Sequence, residues 1–379
     1  MNMIQNIAKK AIWVAAILSM GMTMNSCEDM LDTKPQGTFT DEQIGDEEAL
    51  DLMTSAYASL LNHYFGNNES FAGPINNWVF DVRSDDALKG GDGVTMEGYI
   101  HQLEIGNVQS DNDVVTFKWR NNYYSISRCN TAIRGIQASV SIPDQEKNSY
   151  VAEMKTLRAY FYFDMLRIFE KFPYFDETVV NPSECRADQY SREQIAEFIK
   201  QDLRDSYEIL PPTQAEVGRF NRYVAAALLA RVDLFTSDWA EAETYAGYVI
   251  DSHQYELYPN FLDMSKPEYN NQYESILAIQ FSSANSPDQY NYNNCLNCTW
   301  SEGNLYGNGD DFYLASQNLV NAFRTDENGL PYLDGAPDNQ NVDRADFEGN
   351  IDPRLDFTVG RIGMPWRSHQ YNEKWCRNL

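Results

Sequence analysis

The sequence predicts a mainly α-helical protein, in which a helical-repeat scaffold of tetratricopeptide type precedes a loop-rich region with few short strands. Three observations predict this fold class. Apolar residues recur every three or four positions through most of residues 119–253, which is the spacing of one helix face. A helical hairpin occupies Asn221 to Tyr255. Beyond Tyr255 the periodicity is lost, and polar, glycine-rich and aromatic segments follow.

The hairpin at Asn221 to Tyr255 has the features of one tetratricopeptide unit. Thr236-Ser237-Asp238 supplies short polar side chains that suit the end of one helix and the N-cap of the next. Trp239 opens the second helix, and we expect it to pack within the scaffold. Because such a unit cannot bury its apolar face alone, neighbouring units of the same kind are predicted. The in-phase apolar residues are Val224, Leu228, Val232 and Phe235, then Ala242, Tyr245, Ala246, Val249 and Ile250.

Further amphipathic segments predict the other helices. Ser191 and Gln194 form a capping-box pattern at the start of one of them, and Pro211-Pro212 follows its end. The hydrophobic run Ser275 to Phe281 and the segment Phe357 to Val359 are predicted as short strands. The predicted helices are Glu47 to Phe65, Trp119 to Gln137, Gln145 to Phe169, Ser191 to Leu210 and Gln317 to Arg324.

Two segments without helical periodicity carry the candidate binding residues. Aromatic faces can stack on ligands, and forked polar side chains can hydrogen-bond to them. Each aromatic residue could instead pack against the scaffold, which is the structural alternative. The first segment, Gly66 to Gly93, contains Trp78, Asp81, Arg83 and Asp86, and the second, Tyr290 to Phe312, contains Tyr290, Tyr292, Trp300 and Tyr306.

The N-terminus has the pattern of a bacterial lipoprotein signal. Lys9-Lys10 precedes the short apolar run Ala11 to Met20, which suits a signal peptide and is too short to span a bilayer. Ser26-Cys27 follows, so we expect cleavage before Cys27 and lipid attachment to its thiol; an ordinary secretory signal with a free cysteine is the alternative. Residues 27–45 then form a polar tether.

Composition excludes several classes of function. The formal net charge is −27 and no basic stretch is present, so nucleic-acid binding is not predicted. The four histidines match no metal or catalytic pattern, and Cys295-Leu-Asn-Cys298 lacks the second pair of a zinc site. Carboxylate pairs such as Asp85-Asp86 are expected by chance among 56 acidic residues. We therefore predict no catalytic residue, no metal and no cofactor.

The motifs, taken in order, resemble the SusD/RagB family of outer-membrane nutrient-binding lipoproteins. No single motif is specific, but their order and spacing fit over roughly residues 20–360. The motifs are Ser26-Cys27-Glu28-Asp29, Tyr123-Tyr124 with Cys129-Asn130, Leu157-Arg158-Ala159-Tyr160, Phe172-Pro173-Tyr174, Gly218-Arg219-Phe220, Ala227-Leu228-Leu229-Ala230-Arg231 and Asp352-Pro353-Arg354-Leu355.

The resemblance implies four helix pairs of tetratricopeptide type and a loop-rich part packed on them. It implies capture of oligosaccharide or polysaccharide at the cell surface and delivery to a SusC-like TonB-dependent transporter. Some relatives bind peptides instead, so a peptide or another nutrient is the first alternative. A lipid-anchored glycoside hydrolase and a purely structural helical adaptor are the others.

The expected organisation has four parts. The signal peptide is residues 1–26 and the lipidated tether residues 27–45. The scaffold is residues 46–258 with an inserted loop region at about 66–118, and the loop-rich region is residues 259–379. Since the family usually continues well past an Asp-Pro-Arg-Leu motif, we expect the last region to be incomplete.

Overall fold

The computed structural model describes residues 46–61, 78–179, 181, 183, 185–281, 310–335, 338, 340–366 and 369–372. The predicted signal peptide and tether therefore lie outside the described residues. Six helices pack against one another in chain order and form the scaffold. They are α1 (Asp46–Ala58), α4 (Asp113–Ala138), α5 (Asp144–Ile168), α6 (Arg192–Ile209), α7 (Arg222–Phe235) and α8 (Trp239–Asp251).

The scaffold core forms where the apolar faces of α4, α5 and α6 meet. Large side chains there are withdrawn from solvent, as the three-to-four spacing predicts. Ala225 and Ala226 of α7 are also fully buried, which lets neighbouring backbones approach closely. The largest apolar contributors are Ile126, Ile133, Ile136, Met154, Leu157, Phe161, Met165, Ile199 and Leu203.

Side-chain caps set several helix starts. Ser191 Oγ accepts a hydrogen bond from Gln194 N at 3.3 Å, and Gln194 Oε1 accepts one from Ser191 N at 2.9 Å, so the predicted capping box is confirmed. Asn221 Oδ1 caps α7 by accepting from Tyr223 N and Val224 N. Asn112 Oδ1 accepts from Val115 N, and α4 therefore begins at Asp113, six residues before the predicted start at Trp119.

The last scaffold helix differs from the prediction. Ala242 and Val249 are its buried residues, and Trp239 at its first position is 63% exposed. The expectation that Trp239 packs within the scaffold is therefore wrong. Helix α8 packs mainly on α7, and one neighbour covers only one side of a helix. Ile250, in the predicted apolar face, is also exposed.

Short elements occupy the rest of the described chain. The segment between α1 and α4 contains α2 (Trp78–Asp81), β1 (Ala87–Gly90) and α3 (Gly98–Glu104). After α8 come two 3₁₀ helices, Phe261–Ser265 and Pro267–Tyr269, then β2 (Phe312–Ala315), α9 (Gln317–Ala322), α10 (Leu355–Thr358) and the two-residue strands β3 (Pro365–Trp366) and β4 (His369–Gln370). Strand β3 pairs antiparallel with β4.

Both predicted strands are wrong, whereas the predicted helix at Gln317 to Arg324 is confirmed by α9. Residues 275–281 have no regular secondary structure, because an apolar run becomes a strand only where a partner strand pairs with it. The segment predicted as Phe357 to Val359 falls largely in α10. Asp352 Oδ1 accepts from Arg354 N at 2.9 Å, which turns the chain into that helix just after Pro353.

A small second core supports the region after β2. Val320, Val342 and Leu355 are buried together there. Two buried arginines stabilise the surrounding irregular backbone: Arg324 pairs with Asp338, and Arg361 pairs with Asp356 and donates to the carbonyls of Val342 and Arg344. Among the described residues, no helix is both long and apolar enough to cross a membrane.

Candidate functional site

The two candidate binding segments are joined by a short antiparallel ladder. Strand β1 lies within the first segment and β2 begins at the last residue of the second, with Ala87 opposite Ala315, Leu88 opposite Leu314 and Gly90 opposite Phe312. Ser316 N donates to Asp86 O at 2.9 Å, and Gly91 N donates to Asp311 O at 2.9 Å, which extends the pairing at both ends. Two segments that are distant in sequence therefore meet at one place.

Glycines allow this close approach. Gly90 and Gly91 adopt φ values of +71° and +75°, which lie in the left-handed region that side chains rarely adopt. A Cβ atom on Gly90 would lie 2.0 Å from the carbonyl oxygen of Asp311, and one on Gly91 would lie 2.8 Å from the ring of Phe312. The ladder therefore requires glycine at both positions.

An apolar cluster packs against the ladder through Phe312 of β2. Val79, Phe80 and Val82 of the first segment pack with Ile100 and Leu103 of α3. Val114 of α4 and the fully buried Phe312 of β2 complete the cluster. Because these side chains come from the loop, the scaffold and β2 together, the exposed residues above them are held on a rigid base.

A hydrogen bond links the two segments at the surface. The hydroxyl of Tyr313 donates to Asp81 Oδ2 at 2.9 Å, across 232 residues of sequence. Partial burial, this hydrogen bond and the negative charges of Asp81 and Asp86 raise the pKa of Tyr313 to about 12. The tyrosine therefore stays protonated at neutral pH and remains a hydrogen-bond donor.

The backbone at this junction is strained. Asp311 and Tyr313 both have φ of 58°, a left-handed conformation that non-glycine residues seldom adopt. Such conformations cost of order 1–3 kcal/mol each and occur preferentially at functional sites. Here they flank Phe312, whose ring enters the apolar cluster, while the Tyr313 hydroxyl reaches Asp81.

The remaining charged groups of the first segment are open to solvent. Asp81, Arg83 and Asp86 are all exposed, so their polar atoms can meet a ligand. The Arg83 guanidinium lies 5.9 Å from the centroid of the Phe80 ring, which limits the directions it can take. The two carboxylates and the guanidinium are thus exposed within residues 81–86, and the Tyr313 phenol reaches one of these carboxylates. Such a mixture of acceptors and donors suits a ligand that bears many hydroxyl groups.

The structure describes only some of the predicted site residues. Asp81, Arg83 and Asp86 are exposed, and Asp81 is hydrogen-bonded to Tyr313. Trp78 is the first residue of α2, and its side chain lies outside the described part of the protein. Tyr290, Tyr292, Trp300 and Tyr306 also lie outside the described residues. Their roles remain predictions.

Sequence reasoning missed Tyr313. It follows directly after the second candidate segment, in the run Asp310-Asp311-Phe312-Tyr313, and the aromatic and acidic character of that run was the available signal. Its link to Asp81 depends on the β1–β2 pairing, which no local pattern in the sequence predicts.

One acidic group among the described residues has the spacing of metal ligands. Asp233, Asp238 and Glu241 have oxygens within 4.8 Å of one another. The ammonium of Lys200 lies 2.8 Å from Asp233 Oδ1 and 3.6 Å from Asp238 Oδ2, and Arg204 pairs with Glu241 at 2.7 Å. These cations already compensate the carboxylates, so the group reads as an ion-pair network of the scaffold.

Two surface pockets lie away from the ladder. One of about 560 Å³ is lined by Tyr57 and Leu50 of α1, by Tyr150, and by Arg219 and Gln280. The other, of about 370 Å³, lies between α5 and α6 near Lys155. Neither is lined by any predicted site residue that the structure describes.

Comparison with known proteins assigns the chain to a family. A family model described as starch-binding associating with outer membrane matches residues 30–234. A second model, described as the SusD family, matches residues 273–378. The fold and these matches define a SusD-type binding protein, and this chain belongs to the SusD family. The first description names binding.

Individual proteins similar to this chain are also named as SusD-like. SusD-like protein P2 of Formosa agariphila is 30% identical over 236 residues, which cover 61% of this chain and 44% of the relative. A SusD-like protein of Bacteroides ovatus is 26% identical over 281 residues, 70% of this chain and 49% of the relative. The chain thus spans about half the length of these relatives.

Solved structures share the fold. The surface glycan-binding protein A of Bacteroides thetaiotaomicron, in complex with laminarihexaose, matches 73% of this chain and 60% of its own, with a TM-score of 0.62 and 22% identity. A SusD-like carbohydrate-binding protein of Bacteroides fragilis matches 86% of this chain and 61% of its own, with a TM-score of 0.64 and 20% identity. The predicted fold class, a tetratricopeptide-like scaffold of SusD type, is confirmed.

Proposed function

We propose that this protein binds oligosaccharide or polysaccharide at the cell surface and delivers it to a SusC-like TonB-dependent transporter. A lipid on Cys27 anchors the protein in the outer membrane in this proposal, and the ligand side faces the cell exterior. Membership of the SusD family supports glycan binding, since one matching family model is described as starch-binding. The lipid anchor is supported by the sequence pattern before Cys27.

The observation that carries the proposal is the β1–β2 pairing. It brings the segment that holds Asp81, Arg83 and Asp86 beside β2: Asp86 meets Ser316 at the end of β2, and Asp81 meets Tyr313 within it. Strand β2 begins at the last residue of the aromatic segment that holds Trp300. The sequence predicted both segments as ligand-binding without a reason for them to be near each other. In this proposal one surface combines the two segments and provides polar groups for hydroxyls beside candidate aromatic platforms.

The proposed chemistry assigns complementary roles. The Asp81 and Asp86 carboxylates accept hydrogen bonds from sugar hydroxyls, and the Arg83 guanidinium donates to hydroxyl or ring oxygens. Tyr313 orients Asp81 through their hydrogen bond. Trp78, Tyr290, Tyr292, Trp300 and Tyr306 provide faces on which sugar rings stack.

The decisive experiment uses soluble protein that lacks residues 1–27. A glycan array identifies ligands, and calorimetry measures their affinity for wild-type protein and for Trp300→Ala, Trp78→Ala and Asp81→Ala. We expect each change to weaken binding at least tenfold. Trp239→Ala is the matched control, since that tryptophan is exposed at the start of α8 and is not among the predicted site residues.

Three results would contradict parts of the proposal. Binding of peptides but of no glycan would make the protein a peptide receptor of the same architecture. Cleavage of a bound glycan during the assay would favour the glycoside hydrolase. A glycan that binds the three site variants and wild type equally well would place the site elsewhere.

The anchor and the transporter have separate tests. Cys27→Ser in the full chain should move the protein from the membrane fraction to the soluble fraction, and metabolic labelling with a fatty acid should label only wild type. Affinity purification of the lipidated protein should recover a TonB-dependent transporter. Membrane retention of Cys27→Ser with no label on wild type would exclude the lipid anchor.

A further inference from the structure

Lys89 is the unusual residue of the ladder. It lies on β1 and is only 2% exposed, although lysine is among the residues least often buried. Its ammonium donates to the carbonyl oxygens of Gly90 and Gly93, both at 2.9 Å, and lies 4.9 Å from the centroid of the Phe312 ring. Its backbone N–H donates to Glu104 Oε1 of α3 at 2.8 Å.

The charge of Lys89 lacks the usual compensation. The other buried cations in the described ranges, Lys118, Arg158, Lys200, Arg324 and Arg361, each have a carboxylate oxygen within 4 Å; Lys89 does not. Burial lowers the pKa of Lys89, and the more distant charges of Glu104 and Glu97 only partly oppose this. We therefore do not expect the buried ammonium of Lys89 to raise the global stability of the protein.

The ammonium has a local effect. Gly90, the last residue of β1, begins a turn that runs to Gly93. The Lys89 ammonium donates hydrogen bonds to the carbonyl oxygens at both ends of that turn. In this shape Gly91 N donates to Asp311 O, and the Gly91 backbone lies directly on the Phe312 ring. The next residue, Tyr313, carries the hydroxyl that holds Asp81.

We propose that Lys89 is a positioning residue of the binding site: its ammonium fastens the Gly90–Gly93 turn onto the start of β2 and so fixes Tyr313 beside Asp81. This inference rests on the proposed function for its effect on affinity. The fastening itself is a property of the unliganded protein. A methionine at this position would fill the same volume and contact the Phe312 ring, but would leave both carbonyls without their donor.

The first test needs no ligand. Hydrogen exchange is measured for wild type, for Lys89→Met and for the matched control Leu88→Met, whose side chain is exposed on the same strand. We expect the Gly91 amide to exchange at least tenfold faster in Lys89→Met, while the amides of α4 and α5 keep their wild-type rates. Unchanged protection of Gly91 would overturn the inference.

A second variant covers the case in which Lys89→Met does not fold. Gly91→Ala disturbs the contact between the turn and Phe312 directly, since its Cβ would lie 2.8 Å from the Phe312 ring. It should accelerate exchange at the start of β2 in the same way and leave the scaffold amides unchanged. Wild-type exchange rates around Phe312 in Gly91→Ala would equally overturn the inference.

The affinity test links the turn to binding. With the tightest glycan found by the array, Lys89→Met should bind at least tenfold more weakly, with an unchanged melting temperature, and Leu88→Met should bind within twofold of wild type. Faster Gly91 exchange with wild-type affinity would show that the turn does not position the site. If wild type binds no glycan at all, the proposed function fails, and the exchange measurement still decides whether Lys89 holds the turn.

Discussion

Replacement of Arg158 by methionine should strongly destabilise the scaffold. Arg158 is 2% exposed, and its guanidinium donates to Asp202 through Nε at 2.8 Å and through Nη2 at 2.9 Å. Its Nη1 donates to Asn130 Oδ1 at 2.7 Å and to Glu177. The variant removes the cation from the interface of α4, α5 and α6 and leaves the Asp202 carboxylate buried.

The expected loss follows from that uncompensated carboxylate. Breaking a buried ion pair by removal of one partner costs about 3–5 kcal/mol. Lys155 Nζ lies 3.9 Å from Asp202 Oδ1 and retains part of the attraction, so we expect about 3 kcal/mol. The free energy of unfolding is measured by urea denaturation of the soluble protein.

Two controls separate charge from packing. Arg158→Met combined with Asp202→Leu removes both charges and should recover most of the stability, because apolar replacement of a whole buried pair is often neutral. Ser127→Ala, on the exposed side of α4, should change stability little. A loss below about 1 kcal/mol in Arg158→Met would refute the assigned role of the ion pair.

The pH dependence provides an independent check. Burial opposes ionisation of Glu177, but the charge and hydrogen bond of Arg158 outweigh it and lower the pKa of that carboxyl. This contribution to stability is therefore present above the ordinary glutamate pKa of about 4.3 and is lost as the pH falls through the lowered value. Arg158→Met should remove that component of the acid destabilisation.

Three further predictions concern single positions. Gly90→Ala should destabilise the ladder by more than about 1 kcal/mol, because its Cβ would meet the Asp311 carbonyl and φ is positive, and exchange of the β2 amides would report the loss. Ser191→Ala should cost about 1 kcal/mol in urea denaturation by removing the cap of α6, and an unchanged midpoint would contradict the capping role. Tyr313→Phe should weaken glycan binding by releasing Asp81 while the fold is retained, and wild-type affinity would show that this hydrogen bond does not orient the carboxylate.

The scaffold could be predicted because its signals are local. The in-phase residues Leu157, Phe161 and Met165 lie one or two turns apart on one helix, so their common face is a property of the helix itself. The Ser191 and Gln194 cap likewise spans three residues. The prediction failed for Trp239, because exposure depends on which neighbour covers a helix.

The candidate site could be predicted only in part. Asp81, Arg83 and Asp86 were recognisable as exposed polar groups in a segment without periodicity. Tyr313 was missed, because its partner is 232 residues away. The run at 275–281 was apolar enough for a strand, whereas the true strands β1 and β2 are only four residues long and carry weak patterns.

Sequence alone determined the helical scaffold, the order of its helices and the family to which the chain belongs, because helix periodicity, caps and short motifs are encoded within a few turns. Tertiary structure decided that the segment around Asp81 meets the start of β2. A strand pair forms only where two backbones can approach, and here that approach depends on Gly90 and Gly91 fitting against Asp311 and Phe312. The contact that carries the proposed function is therefore a long-range property of the fold.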